Sequence, residues 1–224
     1  MKPTLPTLLS FNGGFVDTAG YLALQGLFTA HVTGNFVTIG AALVFGTSGI
    51  IAKLLALPVF CAVIISTRLI DYGLPRNGLP VLPTMLSLQL GLLVIGAGFA
   101  IGWGPFANGD GWQAILTGMT LVAAMAIQNA VHRVHLPTAP PTTLMTGTTT
   151  QIMLDVADAI HGLPAESKVA TRSRLRRMSV AVLSFALGAA AAALLFRQFG
   201  MGCFMVPPVI ALLARFAGSA RPAA

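Results

Sequence analysis

Apolar residues fill most of the chain in long runs, and the polar breaks between them divide it into eight segments. Six runs reach the roughly 20 mostly apolar residues that a membrane-spanning helix needs. They cover residues 6–26, 50–69, 81–103, 112–131, 178–197 and 201–217. Two shorter runs, 33–47 and 146–160, each follow a stretch that resists helix formation: "LFTAHV" is rich in strand-tolerant residues, and "LPTAPPTTLM" holds three prolines. The pattern predicts an all-α polytopic membrane protein with six transmembrane helices plus two re-entrant strand/half-helix elements.

The composition agrees with a membrane location and excludes a soluble fold. Only 8% of the residues are charged and 55% are hydrophobic, whereas a soluble domain carries about 25% charged residues. The net charge of +7 is typical of a membrane protein whose cytoplasmic loops are basic. No basic stripe interleaved with aromatic residues indicates a nucleic-acid surface. We therefore predict a single membrane domain over residues 1–224, with the lipid bilayer as partner and no nucleic acid.

The basic residues favour one topology over another. Arg68 and Arg76 follow the second long run, and five Lys and Arg residues lie within 162–177. If both short runs crossed the membrane, giving eight crossings, these two groups would face opposite sides and break the positive-inside rule. If each short run enters and leaves on one side, both termini are cytoplasmic, and only Lys53 and Arg197 face the other side. Six spans are therefore the preferred prediction, and eight crossings the alternative.

A short motif occurs twice, once at each short run. "HVTGNFVTIG" at 31–40 contains Thr33-Gly34-Asn35, and "LMTGTTTQIM" at 144–153 contains Thr146-Gly147-Thr148. Asp17 lies sixteen residues before the first threonine, and Asn129 seventeen before the second. Three spans and one re-entrant element in each half would invert the second copy. The predicted repeats are residues 6–103 and 112–217, an arrangement typical of secondary transporters.

The two motifs predict a binding site. Thr33 and Thr146 are suitable N-caps, and Gly34 and Gly147 allow a close approach of backbone or ligand. A helix that begins inside the membrane exposes free N–H groups and a positive dipole end, which lipid cannot satisfy. Two such tips meeting near the midplane would bind a small polar or anionic solute. The alternative is that the threonines only bond neighbouring helices. The predicted substrate-binding residues are Thr33, Gly34, Asn35, Gln128, Asn129, Thr146, Gly147 and Thr148.

Asp17 and His132 are the candidates for proton coupling. An intramembrane carboxylate is a functional hypothesis by default, because burial favours its protonated form. The alternative for Asp17 is a structural bond to Gln128 or Asn129 across the repeat interface. His132 lies on the same helical face as these two residues, although it also suits a helix end. Asp155 and Asp158 lie in the second short run; Asp155 is expected to be deeper in the membrane and is the better functional candidate of the two.

The stretches "GFVDTAGYLALQGLFTAHVTGNFVTIG" and "AIQNAVHRVHLPTAPPTTLMTGTTTQ" resemble the YoaK-like bacterial inner-membrane proteins, a domain family without an established function. The resemblance covers nearly the whole chain and implies a multi-pass protein of the cell inner membrane. It supplies no substrate. The strand-then-half-helix pattern also looks like the core of uracil-permease and SulP-type transporters, in which paired half-helices flank the substrate.

These patterns favour a secondary transporter of a small polar or anionic solute, with proton coupling as a further hypothesis. A channel or a non-transporting membrane scaffold is the alternative. The motifs of zinc proteases, serine hydrolases and P-loop enzymes are absent from the sequence, and the two cysteines lack metal-type spacing. We therefore predict no enzyme activity, no cofactor and no metal. The Gly98-x-x-x-Gly102 pattern allows close helix packing within the protein or in a homodimer.

Overall fold

A computed structural model describes residues 3–162 and 164–219, and in these residues it has eight α-helices and no β-strand. The helices are α1 (Leu5–Ala23), α2 (Asn35–Phe45), α3 (Ile50–Gly73), α4 (Val81–Trp103), α5 (Trp112–His135), α6 (Met145–His161), α7 (Ala165–Phe199) and α8 (Val206–Ser219). Each predicted apolar run forms a helix, so the all-α class is confirmed. Both chain termini, which the sequence predicts to be cytoplasmic, lie outside the described residues.

The strand part of the predicted re-entrant elements is wrong. A strand needs a neighbouring strand to pair its backbone groups, and none is present in the part of the chain that the structure describes. The segment before α2 is irregular and ends in a 3₁₀ turn at Val32–Gly34, and the segment before α6 is irregular with its prolines. Polar side chains of the long helices bind these segments instead.

Four stretches are long and apolar enough to span a membrane: Ile50–Asn77, Val81–Trp103, Trp112–His135 and Glu166–Gly218. The last of them contains both α7 and α8. The chain is therefore a multi-pass membrane protein. α1 has 19 residues but does not reach this threshold of hydropathy, because it carries buried polar side chains that other helices surround.

α7 is much longer than the predicted span 178–197. Its 35 residues extend for about 52 Å, whereas the hydrocarbon core of a bilayer is about 30 Å thick. The additional turns at its N-terminal end carry the basic cluster that the sequence places in a loop. The basic residues are therefore displayed on a helix that continues into the membrane.

α1 and α5 are the inner helices, and they run antiparallel. Near the start of α1, the carbonyl of Leu9 accepts a hydrogen bond from Gln128 Nε2, in the second half of α5. At the end of α1, Leu24 Cδ1 lies 3.6 Å from where a Cβ of Gly118 would stand, near the start of α5. About two thirds of the residues in the apolar window of α5 are buried, against 22% in α3. α3, α4, α7 and α8 therefore surround an inner pair.

α1 crosses α7 at two glycines, one on each helix, where the two backbones are in direct contact. A Cβ added at Gly14 would stand 2.1 Å from the carbonyl oxygen of Phe185, and one added at Gly188 would stand 2.0 Å from that of Phe11. The small-residue run around Gly188 is thus a packing surface. By contrast, nothing lies within 4 Å of a Cβ at Gly98 or Gly102, so this pair is not used for packing within the chain.

The end of α1, the start of α3 and the loop between α4 and α5 lie together at one end of the helix bundle. Gln25, just after α1, donates from Nε2 to the carbonyl of Phe106 at 3.0 Å. Asp110 accepts hydrogen bonds from the four successive backbone N–H groups of residues 49–52, at 2.8 to 3.2 Å. This carboxylate therefore caps α3 from the α4–α5 loop.

Candidate functional site

Asp17 holds the segment that returns from the end of α1. After Ala23 the chain reverses through Gln25 and Gly26, both at positive φ. One carboxylate oxygen of Asp17 then accepts the backbone N–H groups of Thr29 at 2.8 Å and Ala30 at 2.7 Å. Asp17 is 4% exposed, so these bonds largely replace water around its charge. The predicted structural alternative, a bond from Asp17 to Gln128 or Asn129, is not formed.

The other oxygen of Asp17 binds a histidine. It lies 2.6 Å from Nδ1 of His31, whose ring meets those of Phe28 and Phe185 edge to face. Asp17 and His31 line an open cavity of about 490 Å³, here called cavity A. Its other lining residues are Thr18, Tyr21, Phe28, Gly34 and Phe185. A carboxylate–imidazole pair is therefore partly accessible at the wall of a mostly aromatic cavity.

Asn129 plays the equivalent part in the second half of the chain. Its Oδ1 accepts a hydrogen bond from Thr143 Oγ1 at 2.7 Å, and its Nδ2 donates to the carbonyl of Met125. Thr143 belongs to the segment before α6, as Thr29 belongs to the segment before α2. In both halves a polar side chain near the end of an inner helix thus binds the segment that leads into a short helix.

Asn129 also lines a second cavity, of about 370 Å³, here called cavity B. Asp71 on α3 accepts from His135 Nε2 at 2.9 Å and pairs with Arg68, whose guanidinium carbon lies 4.1 Å from the ring centroid of Tyr72. Arg68, Asp71, Arg133 and His135 all line cavity B. Since α1 and α5 are antiparallel, cavities A and B lie toward opposite ends of the bundle.

A buried amide network lies between α1, α4 and α5. Gln128 Nε2 donates to Leu9 and to Thr142 Oγ1, which leaves its Oε1 to accept from Gln89 at 2.7 Å and from Asn12 at 3.5 Å. Gln128, Gln89 and Asn12 are fully buried. Gln128 is therefore not open to either cavity, and its bonds tie three helices together.

The two Thr-Gly motifs lie apart. Gly34 lines cavity A, and Leu144, just before the second motif, lines cavity B. Asn35 is buried and bonds both backbone groups of Phe28, whereas Thr146 and Gly147 are exposed and Thr148 is buried, with a long bond to the carbonyl of Leu144. The two tips thus face separate cavities and share no lining residue.

The predicted N-caps are wrong. The cap position of α2 is Gly34, and that of α6 is Leu144; neither makes a side-chain capping bond. Thr33 falls in the 3₁₀ turn, and Thr146 is already inside α6. Asn35 and Thr143 make the local side-chain bonds that sequence reasoning assigned to the threonines of the motifs.

His132 and Asp155 have structural partners away from Asp17. His132 Nε2 lies 3.0 Å from the carbonyl of Ala139, in the segment before α6. Asp155 is fully buried and is bound by Arg174 at 2.6 and 2.8 Å and by Gln151. The first bond holds the segment before α6, and the second joins α6 to α7.

Sequence reasoning missed the histidine partners of both carboxylates. His31 reads as an isolated histidine beside a turn, and Asp71 and His135 are 64 residues apart. The sequence indicates the buried network through Gln128, which was singled out, and through Gln89, an amide in a mostly apolar span, which was not. Among the residues that the structure describes, no three His, Cys, Asp or Glu side chains are grouped closely enough to hold a metal ion.

Comparison with known proteins places the whole membrane domain in one family. A family model described as "Protein of unknown function (DUF1275)" matches residues 5–217. The chain is similar to the UPF0700 transmembrane protein YoaK of Bacillus subtilis (strain 168), with 28% identity over 219 residues that cover 93% of this chain and 90% of that protein. No solved structure matches.

Proposed function

This chain belongs to the family of proteins of unknown function DUF1275, and we propose that it is a proton-coupled carrier of a small polar or anionic solute. The observation that carries the proposal is the pair formed by Asp17 and His31, 2.6 Å apart at the wall of cavity A. A carboxylate and an imidazole inside a membrane protein are costly to keep and mark proton and solute pathways. In this proposal the chain is not an enzyme and needs no cofactor.

The Asp17–His31 pair suits the coupling of proton and solute movement because its two groups differ in their exposure to cavity A. Asp17 is held by backbone N–H groups, while the His31 side chain is 30% exposed. Histidine changes its charge near neutral pH, and its charge depends on its neighbours. A solute that enters cavity A beside His31 therefore favours one protonation state of the pair over the other. His31 replaces His132 as the proposed partner of Asp17.

The proposed carrier has two related halves, residues 6–103 and 112–217, which alternate access from the two sides. Each half supplies an inner helix, a bound segment and a short helix, and its cavity is completed by a long helix from the other half. Cavity A has walls from α1 and α7, and cavity B has walls from α5 and α3. Antiparallel α1 and α5 are what an inverted repeat requires.

We infer six spans, with α2 and α6 re-entrant. Gln25 before α2 and Gly49 after it are neighbours, since a Cβ on Gly49 would stand 3.5 Å from Cβ of Gln25. A helix whose two flanks touch enters and leaves on one side. With the basic clusters inside the cell, cavity B faces the cytoplasm of an inner-membrane protein and cavity A the other side.

Cysteine labelling tests this topology. Asn77→Cys and Lys168→Cys, each in a background with Cys61→Ala and Cys203→Ala, are expected to react from the cytoplasmic side only with a membrane-impermeant maleimide. Both positions are exposed, and six spans put them on one side. Eight crossings would put them on opposite sides, so labelling from opposite sides would contradict the six-span arrangement.

Proton flux tests the carrier. In proteoliposomes with a trapped pH-sensitive dye, addition of small carboxylates, inorganic anions and nucleobases in turn is expected to identify a solute that drives saturable proton movement. His31→Gln is expected to reduce that movement at least about tenfold, as expected for losing a positioned proton-transfer group. His161→Gln is the matched control, because His161 is exposed at the end of α6.

Other outcomes would favour the alternatives. Flux that does not saturate with solute concentration would indicate a channel. A proton flux in His31→Gln equal to that of the wild type would contradict a role of the Asp17–His31 pair in coupling. A folded, reconstituted protein that neither moves nor binds any member of the panel would favour a membrane scaffold.

A further inference from the structure

We propose that cavity B binds a small organic anion, with one carboxylate held at Arg133 and an apolar body against α3 and α5. The inference rests on the proposed function and names its solute class. Two arginines, Arg68 and Arg133, line the cavity together with a single aspartate, Asp71. The two arginines and the one aspartate therefore leave the wall of cavity B with one positive charge in excess.

The excess charge belongs to Arg133. Asp71 is already bound by Arg68 and by His135, so its two oxygens are occupied from α3 and from α5. Arg68 is further restrained by its position over the ring of Tyr72. Arg133 has no hydrogen bond or ion pair to any other residue within 3–162 and 164–219. An arginine without a partner, at the wall of a cavity, is a ready site for a carboxylate.

The other residues that line cavity B are mostly apolar and favour a ligand with an apolar body. Phe60 and Ile64 of α3, Met85 of α4 and Val134 of α5 line the cavity together with Leu144. An inorganic anion would leave these apolar groups without a partner. A carboxylate on a short aliphatic or aromatic body would cover them and remove their apolar surface from water. The volume of about 370 Å³ lies at the small end of ligand pockets, about 300–1,000 Å³.

Two sources could supply an anion with an apolar body, a water-soluble carboxylate or an anionic lipid at the membrane edge. Both would use the guanidinium of Arg133 and the apolar wall. In a carrier the two cavities lie toward opposite sides of the membrane and exchange solute with the water on each side. This position favours the soluble carboxylate. The experiment therefore includes a lipid, so that the two sources give different results.

The test measures binding by the purified, detergent-solubilised full chain. Hexanoate and benzoate are titrated while thermal unfolding is followed, with hexanamide as the uncharged body and inorganic phosphate as the anion without one. A ligand of the native state raises the unfolding temperature by mass action. We expect saturable stabilisation by hexanoate or benzoate, and at least about tenfold weaker binding in Arg133→Gln, from the loss of a charged hydrogen bond.

Arg76→Gln is the matched control. It removes the same charge from the same end of the bundle, yet Arg76 lies in the turn Pro75–Asn77, outside cavity B. Binding to this variant is expected to equal that of the wild type. Equal stabilisation of wild type and Arg133→Gln, or none by either carboxylate, would overturn the proposal. Stabilisation that depends on Arg133 but is given only by a short-chain phosphatidylglycerol would also overturn it, in favour of a lipid.

Failure of the carrier and failure of this site give different results. Carboxylate binding that depends on Arg133, in a protein that moves no solute, would support the site and remove the carrier. Proton-coupled flux of a solute whose binding is unchanged in Arg133→Gln would support the carrier and remove the site.

Discussion

Replacing Gly14 or Gly188 by alanine is expected to prevent most of the protein from folding. Each added Cβ would stand within 2.1 Å of a backbone carbonyl oxygen in the partner helix, and a backbone atom cannot move aside as a flexible side chain can. Overpacking of a well-packed interior costs about 1–3 kcal/mol, and this contact places both variants at or above the upper limit. Fluorescence-detected size-exclusion chromatography and thermal unfolding in detergent would measure the loss.

Gly98→Ala is the control for that prediction. Gly98 lies inside the second half of α4 and faces outward, with open space where its Cβ would stand. The substitution is expected to keep the folded yield and the unfolding temperature, or to raise the latter slightly, because alanine favours helix over glycine by about 1 kcal/mol. Equal yields from Gly14→Ala and Gly98→Ala would contradict the close crossing of α1 and α7.

Asp17→Ala is expected to be the most damaging substitution at the candidate site. It removes the acceptor for the N–H groups of Thr29 and Ala30 and leaves His31 without its partner. Leaving a buried hydrogen-bond donor without its acceptor costs about 1–3 kcal/mol for each donor. The segment before α2 would detach from α1, and cavity A would lose its shape. Thermal unfolding in detergent would measure the loss, and the folded yield would fall with it.

Asp17→Asn separates the structural part of this residue from its charge. The amide oxygen still accepts from Thr29 and Ala30, and the amide nitrogen can donate to the neutral imidazole of His31. This variant is therefore expected to fold with near wild-type yield and to lose solute-driven proton flux in proteoliposomes. If Asp17→Asn unfolds as readily as Asp17→Ala, the carboxylate is purely structural and the coupling role fails.

The helices could be predicted from the sequence because an apolar run of that length satisfies its backbone groups in lipid only as an α-helix. α4 has the predicted bounds, 81–103, and α2 and α6 begin within two residues of prediction. α7 differs most, and mainly at its N-terminal end. The predicted span begins only at residue 178, where the sequence becomes apolar, whereas the helix extends as far as its backbone hydrogen bonds are made. Hydropathy could not indicate that Arg174 is paired with Asp155, a residue of the preceding helix.

The candidate site was predicted less well, since its geometry depends on contacts between distant segments. Asp17 and Asn129 could be singled out because polar residues in apolar runs are rare. Their partners could not, because the return of the chain at Gln25 decides which backbone groups reach Asp17. The threonines of the repeated motif matched the common capping residues, yet the adjacent Asn35 and Thr143 make the local bonds.

The polar character of α1 has a consequence for biogenesis. An aspartate costs up to about 2.5–3.5 kcal/mol to insert through the translocon when it stands at the centre of a spanning helix. α1 carries Asp17 in its second half and Asn12 in its first half. The partners of Asp17 follow 12 to 14 residues later. The partner of Asn12 on α5 and the packing surface on α7 are synthesised more than a hundred residues later. α1 therefore completes its packing only after α5 and α7 have been made, and the membrane domain has to assemble as a whole rather than helix by helix.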